Sequence, residues 1–66
     1  MRLSVIGSGG WGNRVIRKFH SLCGLHLVYG HKNREQLQRE LGIKFTEDID
    51  ELIDQSDAVI VAAPPQ

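Results

Sequence analysis

The chain is poor in most of the devices that staple a small protein together. It has one cysteine, Cys23, so no internal disulfide can form, and no Cys/His spacing reads as a structural zinc site. Both prolines stand side by side at Pro64-Pro65, leaving the rest of the chain free of that helix breaker. Aromatic residues make up only 6% of the 66 residues. No charge is in excess, since eight Lys+Arg balance eight Asp+Glu. That balance excludes binding to nucleic acid or anionic membrane through bulk charge alone. The longest unbroken apolar run, Ala58 to Ala63, falls far short of the roughly 20 residues a membrane-spanning helix needs. The apolar stretch Leu3–Ile6 is also too short for an export signal, so a reducing cytoplasm is expected.

What is present is a globular composition, 41% hydrophobic and 24% charged, in a chain of marginal size. Below about 70–80 residues a core rarely supplies more than a few kcal/mol without staples. Either the core is unusually good, the chain associates, or it is part of something larger. The charges are segregated. Every basic residue lies at or before Lys44, and six of the eight acids (Glu47, Asp48, Asp50, Glu51, Asp54, Asp57) follow it. These are solvated helix faces, or some of the basic set surrounds an anionic ligand.

Hydrophobic period alternates along the chain. Leu3, Val5 and Ile6 form a short buried-strand pattern ending at Gly7. After a glycine-rich turn, Val15, Ile16, Phe19, Leu22 and Cys23 mark one stripe of a helix, with Gly24 as its terminal glycine. On this reading Cys23 is a small buried hydrophobe, whereas His20 and His26 are surface positions. Leu25–Tyr29 reads as a second strand. A second helix begins at Asn33, where Asn33 and Gln36 can form a capping box, and ends at Gly42. Ile43–Phe45 is a third short strand. Asp48 caps a third helix whose buried edge is Ile49, Leu52 and Ile53, and Ala58–Ala63 is a fourth strand. The order β-α-β-α-β-α-β requires a parallel sheet with right-handed crossovers. The expected fold is α/β, a partial doubly wound Rossmann sheet of four strands in the order 3-2-1-4 with three helices.

The turn Gly7-Ser8-Gly9-Gly10-Trp11-Gly12 carries the G-x-G-x-x-G dinucleotide fingerprint in its required setting, between a strand and a helix. Gly7 permits the tight turn, Gly9 lets a pyrophosphate approach the backbone, and Gly12 lets the helix pack close to the sheet. The helix N-terminus then offers unpaired N–H groups to the phosphates. A turn that binds nothing is the competing reading. About 20 residues beyond such glycines, a carboxylate would normally bind the ribose of NAD. Here the stretch is Gly30-His31-Lys32-Asn33-Arg34, with no acid. Lys32 and Arg34 would attract a 2′-phosphate, which favours NADP over NAD. Candidate cofactor-binding residues are therefore Gly7, Ser8, Gly9, Gly10, Trp11 and Gly12 for the pyrophosphate, and His31, Lys32 and Arg34 for the adenosine ribose. Ala62, Ala63 and Pro64 stand where the nicotinamide side is expected. Trp11 either packs over the cofactor or covers the helix start.

Taken together, Val5–Gly12, the Glu40-Leu41-Gly42-Ile43 step, Thr46–Ile53 and Asp57–Pro65 resemble the start of the glucose–fructose oxidoreductase / inositol dehydrogenase (Gfo/Idh/MocA) family. The resemblance implies NAD(P)-dependent hydride transfer on a sugar, polyol or related alcohol or ketone. It also implies that residues 1–66 are the N-terminal half of the dinucleotide-binding domain. The family's Glu-Lys-Pro lysine and its substrate domain are absent here, so no catalytic residue is assigned. The small-molecule substrate would belong to the full-length parent. Ala63 stands where the family often has Thr. A second resemblance, through Trp11-Gly12, Tyr29-Gly30-His31 and Ala63-Pro64-Pro65-Gln66, is to glycerol-3-phosphate dehydrogenases. A non-catalytic nucleotide-binding or redox-sensing module is a further alternative. A nucleic-acid-binding helix is disfavoured, because glycines at its N-terminus give base readout nothing. Finally, a fourth strand left bare at the sheet edge invites self-association.

Overall fold

The computed structural model describes residues 1–62. Ala63 and Pro64, expected at the nicotinamide side, lie outside the described residues. Seven elements alternate: β1 (Leu3–Ile6), α1 (Gly10–Cys23), β2 (Val28–Tyr29), α2 (Arg34–Leu41), β3 (Phe45–Thr46), α3 (Ile49–Gln55) and β4 (Ala58–Val61). The strands form one sheet in the order β3-β2-β1-β4. Every pairing is parallel, with Val5 opposite both Val28 and Ile60. The expected α/β topology is the observed one.

Strand alternation divides the interior between the two faces of this sheet. On one face Val5, Ile16, Val28, Leu37, Ile43 and Ala62 form the core, with Val15, Leu41, Phe45 and Ile60 packed against it. Here α1 and α2 lie side by side, tied across their outer surfaces by an Arg17–Glu40 ion pair at 3.2 Å. The opposite face is thinner and rests on Leu52 of α3, which packs against β2 and β3. Ser4, fully buried on that face, shares its hydroxyl between Ser56 Oγ and the Leu27 amide.

That serine explains why β2 is shorter than the expected Leu25–Tyr29. The Leu27 N–H donates to the Ser4 side chain at 3.3 Å, not to a strand carbonyl. The flanking bonds, His26 N to Leu3 O (2.8 Å) and Val5 N to Leu27 O (3.1 Å), still run the chain alongside β1. β3 is shifted to Phe45–Thr46, because Ile43 follows the left-handed Gly42 cap and turns into the core instead of joining the ladder.

Cys23 corrects the sequence reading: it is exposed, its thiol donating to Phe19 O at 3.5 Å. The cause is length. The 14-residue α1 runs about 21 Å, whereas the four-residue β1 beneath it spans about 13 Å. The last turn therefore overshoots the sheet, leaving Leu22 exposed as well. α3 buries only Leu52, with Ile49 and Ile53 outside. Its cap is the expected one, Asp48 Oδ1 accepting from Asp50 N (3.0 Å) and Glu51 N (3.2 Å).

Candidate functional site

The site lies where β1 and β2 release their chains at the same end of the sheet. Gly7 leaves β1 with φ 111°, a left-handed conformation that L side chains rarely adopt. Its N–H donates to Tyr29 O at 2.7 Å, holding the turn against β2. Gly12 is required for a different reason. A Cβ there would overlap the Gly7 carbonyl, lying 2.6 Å from its carbon. Bare glycine is thus what lets α1 start so close to β1.

Helix α1 begins with Gly9 as an extended cap, and its first intrahelical bond runs from Asn13 N to Gly9 O at 2.6 Å. The amides of Gly10, Trp11 and Gly12 precede that bond and carry the positive end of the helix dipole. No acid stands in this first turn to neutralise it. A cleft of about 590 Å³ opens beside it, lined by Gly7 to Gly12, Gly30, His31, Lys32 and Ala62. The face of Gly9 toward the cleft is open. A Cβ built there would meet only Lys32 Cδ, at 3.8 Å, and one on Gly10 would meet nothing within 4 Å.

The cleft therefore brings together the glycine turn, the His31-Lys32 segment and Ala62, three separate parts of the sequence. Trp11 stands at its rim, 64% exposed. Arg34 is placed elsewhere. It opens α2, pairs with Glu47 at 3.2 Å and lies over the Phe45 ring, 5.6 Å from the centroid. It lines a neighbouring depression with His31, Asn33 and Arg39 instead of the glycine cleft. The direction of α2 carries its first turn toward β3, and an arginine there meets the acids that follow that strand.

Two contributors were not evident from the sequence. Asn33, read as a side-chain cap, makes no capping bond and adopts a left-handed conformation (φ 61°). Its amide instead donates to Ser8 O at 2.9 Å, joining the loop after β2 to the glycine turn. The tolerance of asparagine for positive φ was the available clue. The second is Gly30, the first residue after β2, which packs directly on Ser8. Ser8 itself is 3% exposed, and its hydroxyl has no partner among the described residues.

Ionisable groups contribute little to the cleft beyond Lys32. The Glu40 carboxyl on α2 is held low by hydrogen bonds from Arg17 and then Gln36. Among the described residues no helix is long and apolar enough to cross a membrane.

Comparison with known proteins gives this geometry a family. The family model for the D-isomer specific 2-hydroxyacid dehydrogenase, NAD binding domain, matches residues 1–66. A protein of Streptococcus pneumoniae serotype 4 (strain ATCC BAA-334 / TIGR4), described as an uncharacterized oxidoreductase, is 35% identical over 68 residues. The alignment takes in 97% of this chain and 18% of that protein, so the chain spans under a fifth of its relative. No solved structure matches. These findings overturn the resemblance to the glucose–fructose oxidoreductase / inositol dehydrogenase family. The residues that suggested it are the strand ends, glycine turn and helix caps that any dinucleotide-binding sheet needs, and they do not distinguish one such family from another.

Proposed function

The chain belongs to the NAD-binding domain family of the D-isomer specific 2-hydroxyacid dehydrogenases, and from that premise we propose that the glycine cleft holds a nicotinamide dinucleotide by its pyrophosphate. The observation that carries this reading is the open face of Gly9 at the start of α1, with Lys32 as the nearest side chain. Ser8 and the amides of Gly9, Gly10, Trp11 and Gly12 would surround the linked phosphates, and Gly7 and Gly12 shape the turn. His31 and Lys32 take the adenosine ribose, with Arg34 flanking from the next depression. Ala62 begins the nicotinamide side, continued by Ala63 and Pro64.

The cofactor we favour is NADP, because Lys32 supplies a cation at the ribose end and no acid lines the cleft. When bound, the nicotinamide ring supplies the hydride acceptor or donor. This chain's part is to bind and orient it; the proton-transfer group belongs to the rest of the parent. We take residues 1–66 as the first half of the dinucleotide-binding domain. The substrate that follows from the family's description is a 2-hydroxy acid or the matching 2-oxo acid. The sugar or polyol expected earlier rested on the resemblance that the family match replaces.

Titration of the chain with NADPH and NADH, followed by cofactor fluorescence, tests the reading. Saturable binding with NADPH the tighter is expected. Tighter NADH would remove the NADP preference, and no saturation by either would remove the dinucleotide. We further propose that the outer edge of β4, where Val61 is 68% exposed, drives self-association. A sedimentation coefficient independent of concentration, at the monomer value, would refute that.

A further inference from the structure

Ser8 and Gly30 are interlocked in a way that bears on which dinucleotide the cleft takes. In a dinucleotide-binding sheet, the residue that reads the ribose 2′ position stands at the end of the second strand. Here that place is Gly30, directly after Tyr29. A Cβ added to Gly30 would lie 2.9 Å from Ser8 Cβ and 3.0 Å from Ser8 N, and closer still to Ser8 Oγ. Rotating the hydroxyl away relieves only the last of these. Ser8 cannot retreat either, because its carbonyl is held by Asn33 and the preceding Gly7 N–H by Tyr29 O.

We propose that Ser8 is a specificity-determining residue: it bars every side chain from position 30, and with it the carboxylate that would repel a 2′-phosphate. The group left in that place is the Ser8 hydroxyl, neutral, buried and unpartnered among the described residues. A hydroxyl can donate to a phosphate oxygen or accept from a ribose hydroxyl. Charge selection then falls to Lys32, across the same cleft. The inference rests on the dinucleotide reading above and goes further, since it ties a residue of the pyrophosphate turn to ribose selection.

The test compares wild type, Gly30→Ala, Gly30→Asp and the double variant Ser8→Gly/Gly30→Asp. Each is titrated with NADPH and NADH, with folding followed by far-ultraviolet circular dichroism. Gly30→Ala and Gly30→Asp should lower the unfolding midpoint and weaken both cofactors together. The double variant removes the two closest of the three nearest atoms, and the third, the Ser8 amide nitrogen at 3.0 Å, is relieved by a shift of a few tenths of an ångström. Its fold should recover, and its preference should move toward NADH by roughly tenfold or more. A folded double variant with the wild-type ratio overturns the proposal. So does a Gly30→Ala variant as stable and as tight-binding as wild type, a result that decides the matter even if the double variant fails to fold. If wild type binds neither cofactor, the dinucleotide reading falls and takes this inference with it. That outcome is separate from the two that sink the interlock alone.

Discussion

Two glycines of the same turn should respond to alanine in opposite directions. At Gly12 the added Cβ would come 2.6 Å from the Gly7 carbonyl carbon, where ordinary contact is 3.4–4 Å. The obstruction is backbone held at φ 111° and hydrogen-bonded to β2, so the helix start must move by about 1 Å. Overpacking of this kind costs roughly 1–3 kcal/mol, offset by less than about 1 kcal/mol of gained helix propensity. At Gly10 nothing lies within 4 Å, and only the propensity gain of about 0.5–1 kcal/mol applies. A chain of this size has a total stability of only several kcal/mol, at roughly 0.05–0.15 kcal/mol per residue. Gly12→Ala should therefore remove a large share of it, lowering Tm by about 4–8 °C per kcal/mol lost. Gly10→Ala should be neutral or slightly stabilising. Urea unfolding followed by circular dichroism at the helix band measures both. Equal midpoints for the two variants would refute the claim that close approach, and not glycine content, governs this turn.

Asn33→Gly should cost about 1 kcal/mol for the lost bond to Ser8 O, and Asn33→Ala roughly 1 kcal/mol more for a left-handed residue without asparagine's tolerance; ranked urea midpoints check this order. Asp48→Ala should cost about 1 kcal/mol by uncapping α3, and Asp48→Ser should restore most of it in the same assay. The Glu40 carboxyl, held below its ordinary 4.5 chiefly by the Arg17 hydrogen bond, contributes stability that is full above 4.5 and is lost as pH falls through its lower folded value. Glu40→Gln should therefore differ from wild type at neutral pH and converge with it in acid. Parallel curves of unfolding midpoint against pH would contradict that assignment, and the effect should be small for so exposed a pair.

The path of the chain was legible because period and punctuation agreed. The glycine turn, the Asp48 cap and the alternating order each pointed to one parallel sheet, and it formed with the expected strand order. What stayed hidden depended on distances between elements that no local pattern encodes. Cys23 looked buried because helical spacing cannot show that the strand beneath is too short to cover it. Arg34 sat at the right distance from the glycines, but the acid it meets, Glu47, comes from another loop. Spacing from the glycine turn pointed to His31, but it could not show that β2 ends at Tyr29 or that the next residue, Gly30, is packed against Ser8. The family resemblance failed for a related cause. The residues that form a dinucleotide cleft are shared widely, so they do not separate one such family from another.

Trp11 is the single tryptophan, and it stands at the mouth of the cleft, largely exposed to water. An indole already wet in the native state has little further to redden when the chain melts. A reduced nicotinamide cofactor arriving beside it would quench its emission by energy transfer. With a cofactor in the cleft as proposed, this residue would report occupancy through a change in intensity and unfolding through only a small shift in wavelength, without an added label.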